Sequence, residues 1–323
     1  MTQPATVLIL GASGRLGTAC ALAFARAGWR VIAQTRKPAS NLPASATALV
    51  TGEDPIEKFT LKLTSVDVVV HAMNPAYTNA AWTARLPAMM SSAIAIAQAL
   101  NACLMFPGNV YNFGADMPQQ LEESTPQHPT TVKGKLRVDT ELALRQATQA
   151  SSLRAVVIRA GDFFGSGSGS MFDQVTVNKI KKGKFTHSGP MDVATPWAYL
   201  PDLAQTFVEV AEKRQQLAQF EVLHFSGHAL NGRDWIRVLQ PLAVANGWLA
   251  YGHAIKTAAL PWRLMRLIAL FSPAFAALVE MRYLHRTPHA LSNKRLLQLL
   301  PCEPHTPLPK AAATALAGLG LVA

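Results

Sequence analysis

Three glycines close to the N-terminus have the spacing of a phosphate-binding turn. Gly11, Gly14 and Gly17 are each separated by two residues. In such a turn the first glycine permits a tight reversal, the second lets the backbone approach a pyrophosphate, and the third allows close packing of helix and strand. The free amide groups and the positive dipole end of the following helix then attract the phosphates. The chemistry indicated is the binding of a dinucleotide.

The elements on both sides of these glycines match that interpretation. Val7–Leu10 is an apolar run that predicts a buried strand, and Thr18–Ala27 predicts a helix that ends before Gly28. Because strand and helix both stand where phosphate binding needs them, a dinucleotide site is favoured over an ordinary glycine-rich turn. Its predicted contacts are Gly11, Ser13, Gly14, Arg15, Leu16 and Gly17.

A second predicted strand, Trp29–Gln34, ends in a basic segment that contains Arg36 and Lys37. An acidic residue at this position would bind the ribose hydroxyls and repel a 2′-phosphate, whereas two cations offer charge-assisted bonds to it. The sequence therefore predicts NADP(H) rather than NAD(H). The alternative is a pair of solvated surface cations.

Composition limits the remaining classes. The chain of 323 residues is 50% hydrophobic and 15% charged, which predicts a globular protein of one large or two closely packed domains. Its formal charge of +11 suits an anionic ligand, but no basic block is interleaved with aromatic residues, so no nucleic-acid partner is expected. Three scattered cysteines predict neither a disulfide framework nor a metal site. Because Met1–Thr6 lacks the basic start of a signal peptide, we expect a cytoplasmic protein.

Further strands are predicted along the chain, and they alternate with helices such as Leu86–Leu100. This order predicts an α/β fold with a doubly wound parallel sheet, in which ligands bind at the carboxyl ends of the strands. His71, at one of these ends, is interpreted as a core histidine. The further strands are Ala46–Val50, Val66–Val70, Ala102–Phe106 and Ala155–Ile158.

The order of motifs resembles that of the extended short-chain dehydrogenases/reductases of the NAD-dependent epimerase/dehydratase type, over about the first 230 residues. The resemblance implies a Rossmann fold with a smaller C-terminal substrate lobe. It also implies cofactor contacts from Ala72, Met73, Asn74, Pro107, Ala160, Gly161 and Asp162. The motifs are the glycine turn, the basic strand end, Ala72–Asn74, Val110–Gly114, Arg159–Gly165 and Tyr199–Asp202.

The implied function is NADP(H)-dependent oxidation, reduction or epimerisation of a small substrate that carries a hydroxyl or carbonyl group. The implied dinucleotide-binding domain comprises residues 1–165 and about 195–228, and the substrate lobe comprises about 166–194 and 229–323. The competing hypothesis is a catalytically silent NADP(H)-binding sensor. The sequence makes no prediction about the oligomeric state.

The catalytic residues depart from the family's pattern. Pro107 stands where the family has a Ser or Thr, and the Tyr-x-x-x-Lys pair is replaced by Lys133 and Arg137 when Gly134 and Glu141 anchor the register. The resemblance gives Arg137 the ribose-binding role. Lys133 becomes an acid or base only if its surroundings lower its pKa towards neutrality.

Asn109 and Tyr111 are the other polar candidates beside the nicotinamide. A second register would place Thr131 and Lys135 at the two catalytic positions, but it loses the glycine and ranks lower. A solvated helix face is the alternative for both Lys133 and Arg137.

The last third of the sequence carries weaker signals. Trp262–Leu284 is apolar but too interrupted by charges and a proline to span a membrane. Helices that cover a substrate pocket are favoured there over contact with a membrane surface. Asp202 is expected to cap a helix that runs to Lys213. Gly165–Ser170 is expected to form a flexible linker rather than a lid. His305–Ala323 is expected to form a turn followed by a helix.

Overall fold

A seven-stranded parallel sheet forms the centre of the protein. The computed structural model describes residues 3–60 and 62–322, so the start of the predicted Met1–Thr6 segment and the last residue of the predicted tail lie outside it. The strand order is β11-β7-β5-β4-β1-β2-β3, and all six strand pairs are parallel. The strands are β1 Thr6–Leu10, β2 Arg30–Thr35, β3 Thr47–Val50, β4 Val68–His71, β5 Cys103–Gly108, β7 Ala155–Arg159 and β11 Phe220–His224.

Helices cover both faces of this sheet, which confirms the predicted doubly wound fold. On one face α1 (Arg15–Arg26) and α5 (Leu200–Glu212) enclose a core that includes Phe24 and Phe207. On the other face α3 (Asn79–Ala99) and α4 (Val132–Gln149) contribute residues such as Met90 and Leu144 to a second core. Strands buried on both faces need continuous apolar runs, and the buried β1 and β4 have them.

Two predicted helix starts were wrong. Helix α3 begins at Asn79 rather than Leu86, with the Thr78 side chain accepting a hydrogen bond from the backbone amide of Ala81 at 3.1 Å. The proline inside this helix does not end it, because Trp82 and Leu86 are buried on its inner face and hold the first turns. Helix α1 begins directly after Gly14, before the predicted Thr18.

The predicted cap at Asp202 was also wrong. Helix α5 begins at Leu200, after Tyr199, and Asp202 lies inside its first turn. The Asp202 carboxylate instead accepts hydrogen bonds from the backbone amide of Thr306 at 2.6 Å and from its hydroxyl at 2.7 Å. This carboxylate therefore ties the C-terminal tail to α5. The predicted tail helix is confirmed as α10, Leu308–Gly318.

A smaller set of elements surrounds a separate core containing Phe164, Trp197 and Trp235. Three small sheets lie beside the main one. One has three strands in the order β12-β10-β8, and the other two are the strand pairs β13-β9 and β14-β6. The remaining strands are β6 Gln120–Leu121, β8 Asp162–Phe164, β9 Lys184–His187, β10 Thr195–Tyr199, β12 His228–Leu230, β13 Lys256–Ala259 and β14 Ala290–Leu291. The remaining helices are α2 Glu57–Thr60, α6 Gly232–Ala245, α7 Trp262–Ala269, α8 Pro273–Glu280 and α9 Lys294–Leu299.

Candidate functional site

A cleft of about 1330 Å³ runs along the carboxyl ends of the central strands. Parallel sheets bind ligands at this edge, so the cleft lies where the fold class predicts. The predicted site residues that line it are Gly11, Ser13, Gly14, Arg15, Leu16, Arg36, Ala72, Met73, Asn74, Pro107, Asn109, Tyr111, Arg137, Ala160, Gly161 and Asp162. Gly17, Lys37 and Lys133 do not line it.

The glycine turn has no room for side chains at two of its three positions. Gly11 has φ +78°, and a Cβ there would lie 3.0 Å from the Met73 backbone. A Cβ on Gly17 would lie 2.3 Å from the carbonyl oxygen of Gly11 and 2.8 Å from Cα of Ala12. Gly17 therefore acts beneath the cleft, where it allows α1 to pack against the turn.

The end of β2 supports the turn through a side-chain amide. The Gly11 backbone amide donates to Gln34 Oε1 at 2.9 Å, and Gln34 Nε2 donates to Thr51 Oγ1 at 2.9 Å. Beyond it, Arg36 is 70% exposed at the cleft margin, and its NH1 lies 4.0 Å from Glu53 Oε1. Lys37 is exposed and outside the lining, so only Arg36 of the predicted pair is placed to contact a ligand here.

The arrangement fits a dinucleotide. No side chain caps the start of α1, so the first backbone N–H groups of the helix are free to donate to phosphate oxygens. Within the described residues, Thr35 Oγ1 and Arg137 Nε are buried without a hydrogen-bond partner, and both residues line the cleft. Unpaired buried polar atoms are costly, and ribose or phosphate oxygens would satisfy both.

Arg137 extends from α4 to the floor of the cleft. Its NH1 donates to the carbonyl oxygen of Pro107 at 3.2 Å, and its guanidinium carbon lies 5.0 Å from the Trp82 ring centroid and 5.1 Å from that of Phe106. Burial lowers the pKa of Arg137, and Tyr111 and Glu141 counteract that effect. A guanidinium remains charged even so, and Arg137 is therefore a fixed cation beside the ligand space.

Tyr111 follows the end of β5 by three residues, and it lies close to Arg137. Its backbone amide donates to Asn109 Oδ1 at 3.0 Å, so Asn109 fixes the turn that carries it. Burial raises the pKa of Tyr111 first and Asp162 raises it further, whereas Tyr77 and Arg137 lower it. The net direction is upward, which keeps the Tyr111 hydroxyl protonated near neutral pH.

Lys133 is buried in a network behind the cleft lining. Its Nζ donates to Asn79 Oδ1 and lies 4.6 Å from the centroid of the Tyr77 ring. Glu280 joins the network by accepting from Asn79 Nδ2 at 2.7 Å and from the Val132 backbone amide at 2.8 Å. Burial lowers the pKa of Lys133, and Glu280 opposes the shift.

The two sequence registers for this helix are now distinguishable. In the lower-ranked register, Thr131 is the cap of α4 and its hydroxyl accepts from the Gly134 backbone amide at 3.0 Å, while Lys135 is exposed. In the first register, Lys133 and Arg137 are both buried. The geometry favours the first register, and it does not support a solvated face for these two cations.

Comparisons with known proteins agree with this geometry. The chain resembles the structure of a putative epimerase from Burkholderia cenocepacia J2315, with TM-score 0.74, 16% identity and coverage of 98% of this chain and 97% of that one. A UDP-glucose 4-epimerase from Brucella ovis in complex with NAD gives TM-score 0.65 and 15% identity, covering 79% and 85%. At these identities the likeness shows the fold.

A curated relative is 30% identical over 179 residues, the dTDP-6-deoxy-L-talose 4-dehydrogenase (NAD(P)(+)) of Kitasatospora kifunensis. That match covers 51% of this chain and 55% of the relative, so the chain spans about half of its length. The family described as the RmlD substrate binding domain matches residues 5–238. The chain belongs to the RmlD substrate-binding-domain family. The predicted resemblance to extended short-chain dehydrogenases/reductases is thereby confirmed.

In this RmlD-family chain several cleft residues had not been predicted from sequence. Tyr77, Trp82 and His285 line the cleft, and His285 Nδ1 lies 3.8 Å from Asp162 Oδ2. Tyr77 follows the predicted Ala72–Asn74 motif by three residues, which is a signal that sequence reasoning could have used. His285 is more than a hundred residues away along the chain from Asp162 and offered no such signal.

Proposed function

We propose that the protein is an NADP(H)-dependent oxidoreductase or epimerase that acts on a hydroxyl or carbonyl group of a small, nucleotide-linked sugar. The observation that carries the proposal is that Tyr111 and Arg137 line the same cleft as the glycine turn. Family membership supports the reaction class, and the curated relative, a dTDP-sugar dehydrogenase, supports the substrate class.

Each part of the cofactor has a proposed set of contacts. The uncapped start of α1 at Gly14, Arg15 and Leu16 would hold the pyrophosphate. Arg36 would bind the 2′-phosphate, and Arg137 would bind the ribose beside the nicotinamide. The bound nicotinamide supplies the exchange of a hydride with the substrate carbon. Residues 1–165 and about 195–228 form the proposed dinucleotide domain, with the rest as the substrate lobe.

Tyr111 is the proposed proton donor. Its hydroxyl is protonated at neutral pH and can donate a proton to a carbonyl oxygen as charge develops there. Burial raises its pKa and so weakens it as an acid, and the charge of Arg137 opposes that rise. Arg137 stabilises the tyrosinate that remains, through the same charge that counteracts the rise of the Tyr111 pKa. Asn109 positions Tyr111 by accepting a hydrogen bond from its backbone amide. Proton donation by Tyr111 does not require the Ser or Thr hydroxyl that the family has at the position of Pro107.

Lys133 is proposed to act on this group indirectly. Its Nζ lies over the Tyr77 ring, and Tyr77 neighbours Tyr111. In this role Lys133 is a positioning residue that holds the Tyr77 side of the cleft through Asn79 and Glu280. The stronger prediction, that Lys133 itself transfers the proton, remains a prediction, and it requires movement of Nζ into the cleft.

The experiment is a turnover assay with NADPH or NADP⁺ and a substrate panel. Nicotinamide absorbance reports net oxidation or reduction, and chromatography of the sugar products reports epimerisation, which leaves the absorbance unchanged. The panel contains dTDP- and UDP-linked sugars and their keto forms, with simple ketones and aldehydes as the comparison set. We expect turnover with a nucleotide-linked sugar and little with the simple carbonyl compounds. Tight NADPH binding without turnover of any substrate would instead establish the silent sensor.

A further inference from the structure

The surface of the α7–α8 hairpin exposes an unusual amount of apolar area. Phe271 is 88% exposed and Leu270 is 75% exposed at the turn between the two helices. Among the described residues, half of the twelve large hydrophobic side chains that are exposed lie within 264–275. Phe275 also lines the cleft, and we call the other five the hairpin patch: Leu264, Leu267, Ile268, Leu270 and Phe271.

The hairpin patch belongs to an anchored element. Trp262 and Met265 are buried on the inner side of α7, and Trp262 Nε1 donates to the carbonyl oxygen of Ser188 at 2.7 Å. Leu264 and Leu267 of the same helix are 53% and 62% exposed. Helix α7 therefore has two apolar sides, one packed against the protein and one facing solvent.

Covering the cleft explains only the inner side of the hairpin. Ala274, Phe275 and Leu278 of α8 line the cleft, in the segment for which the sequence predicted helices that cover a substrate pocket. No residue of α7 is part of that lining. An exposed apolar cluster of this kind marks an interaction surface, so the outer side needs an occupant of its own.

The charges around the hairpin patch identify the kind of occupant. Between Asp234 and Glu303 the sequence has eight Lys and Arg residues and one acidic residue, Glu280. That carboxylate is bound by Asn79 and by the Val132 amide, away from the patch. Arg237, Lys294 and Arg295 are paired with the carboxylates of Asp234, Glu122 and Glu221. The cations that bear on the patch are therefore those of the hairpin itself and of the turn after it.

Four arginines lie within or directly after the hairpin: Arg263, Arg266, Arg282 and Arg286. The guanidinium carbon of Arg282 lies 5.2 Å from the Trp262 ring centroid, which places this cation against α7. Besides burial, the charges of Arg286 and Arg266 lower the pKa of Arg282, so these three cations are spatial neighbours. On α7 itself, Arg263 and Arg266 are exposed among Leu264 and Leu267. Exposed leucines interleaved with arginines match the chemistry of an anionic phospholipid surface.

We propose that the hairpin patch docks the protein on the surface of a bilayer containing anionic phospholipids. Leu270 and Phe271 enter the boundary between headgroups and acyl chains, and the neighbouring arginines pair with lipid phosphates. None of the helices in the described part of the chain is long and apolar enough to cross a membrane, so the contact is peripheral. This docking is independent of the substrate that the cleft accepts.

The test is flotation of the 323-residue chain with vesicles of phosphatidylcholine alone or with about 30 mol% phosphatidylglycerol, whose negative surface potential attracts basic segments. We expect binding to the anionic vesicles and a loss of binding at high salt. Phe271→Glu should weaken the partition coefficient by about tenfold or more, and so should the double variant Arg263→Gln/Arg266→Gln. Both losses of binding should come from the position of the substitution and not from the change in net charge, which the controls reproduce elsewhere on the surface.

Matched controls separate the patch from the rest of the surface. Leu142→Glu places the same charge at a 49% exposed leucine on α4, and Arg26→Gln/Arg30→Gln removes two exposed charges beside α1. Both controls should bind vesicles like the wild type, and circular dichroism should show that every variant is folded. Absence of wild-type binding, or undiminished binding by Phe271→Glu, would overturn the proposal. A dimer that Phe271→Glu dissociates, without vesicle binding, would assign the patch to a second copy instead.

Discussion

The two halves of the cleft are built in different ways. The cofactor half consists largely of backbone from one short stretch, in which Gly11, Gly14 and the start of α1 follow one another. The other half, which we propose to be catalytic, is assembled from side chains on separate elements, with Tyr111 after β5, Arg137 on α4 and His285 after α8 in the lining. The first half requires a local conformation, whereas the second requires the whole fold to be in place.

This difference predicts different responses to mutation. In the cofactor half, an added methyl group should act by steric conflict and affect ligand affinity. In the catalytic half, removal of a single polar group should affect turnover while affinity for the dinucleotide persists. Each prediction below tests one side of that contrast.

The largest expected effect is on turnover in Tyr111→Phe. This change removes the proposed proton donor and keeps the aromatic ring, so kcat should fall by about 10²–10⁴-fold. The dissociation constant of NADPH should change by less than about threefold, because the ring still stacks on Trp82, with 6.3 Å between the centroids. Steady-state kinetics and a fluorescence titration of NADPH measure the two quantities separately.

Lys133→Met is the companion variant. It keeps the apolar stem and removes the ammonium, and a positioning role predicts a loss in kcat of about tenfold, with an unchanged pH profile for the remaining activity. A loss equal to that of Tyr111→Phe, with the alkaline limb of the pH profile for carbonyl reduction abolished, would show that Lys133 donates the proton itself. Full activity in Tyr111→Phe would rule out our assignment of the donor.

On the cofactor side, Gly17→Ala should weaken NADPH binding by about 100-fold, or about 2.7 kcal/mol. The new Cβ would lie 2.3 Å from the Gly11 carbonyl oxygen, so the turn must open and move the phosphate-binding amides. Gly318→Ala is the control, because a Cβ there meets nothing within 4 Å. If Gly17→Ala binds NADPH like the control, the turn does not hold the phosphates.

A smaller effect concerns the core beneath the cleft. His71 is fully buried, stacks on Phe106 at 5.4 Å between ring centroids, and burial lowers its pKa to about 3. In the unfolded chain the pKa of this histidine is about 6.5, which is above its pKa in the folded protein. As the pH falls, the unfolded chain therefore binds the proton first, and the free energy of unfolding decreases. Between pH 7 and 5 this residue should account for a loss of about 2 kcal/mol.

His71→Leu should therefore reduce the pH dependence of stability by that amount, as measured by urea unfolding at the two pH values. His253→Leu changes an exposed histidine and should leave the dependence as in the wild type. An unaltered dependence in His71→Leu would mean that His71 is not held neutral in the folded protein.

The contrast between the two halves also explains what could be predicted from the sequence. The parallel sheet and the glycine turn were predictable because apolar runs and glycine spacing are local signals, and the family's motif order placed Asn109, Tyr111 and Arg137 at the cleft. The position of Lys133 behind the lining depends on Asn79 and Glu280, which come from two other helices. The Asp202 cap was wrong because its true partner, Thr306, belongs to the distant tail.

The most direct test of the account is the affinity of the wild type and Arg36→Ala for NADPH and NADH, measured by titration calorimetry. We expect the wild type to bind NADPH about tenfold more tightly than NADH, a modest ratio because Arg36 is 70% exposed and Glu53 lies beside it. Arg36→Ala should bind the two dinucleotides about equally. Failure of the wild type to bind either dinucleotide would contradict the central claim, and an unchanged preference in Arg36→Ala would contradict the assignment of NADP(H).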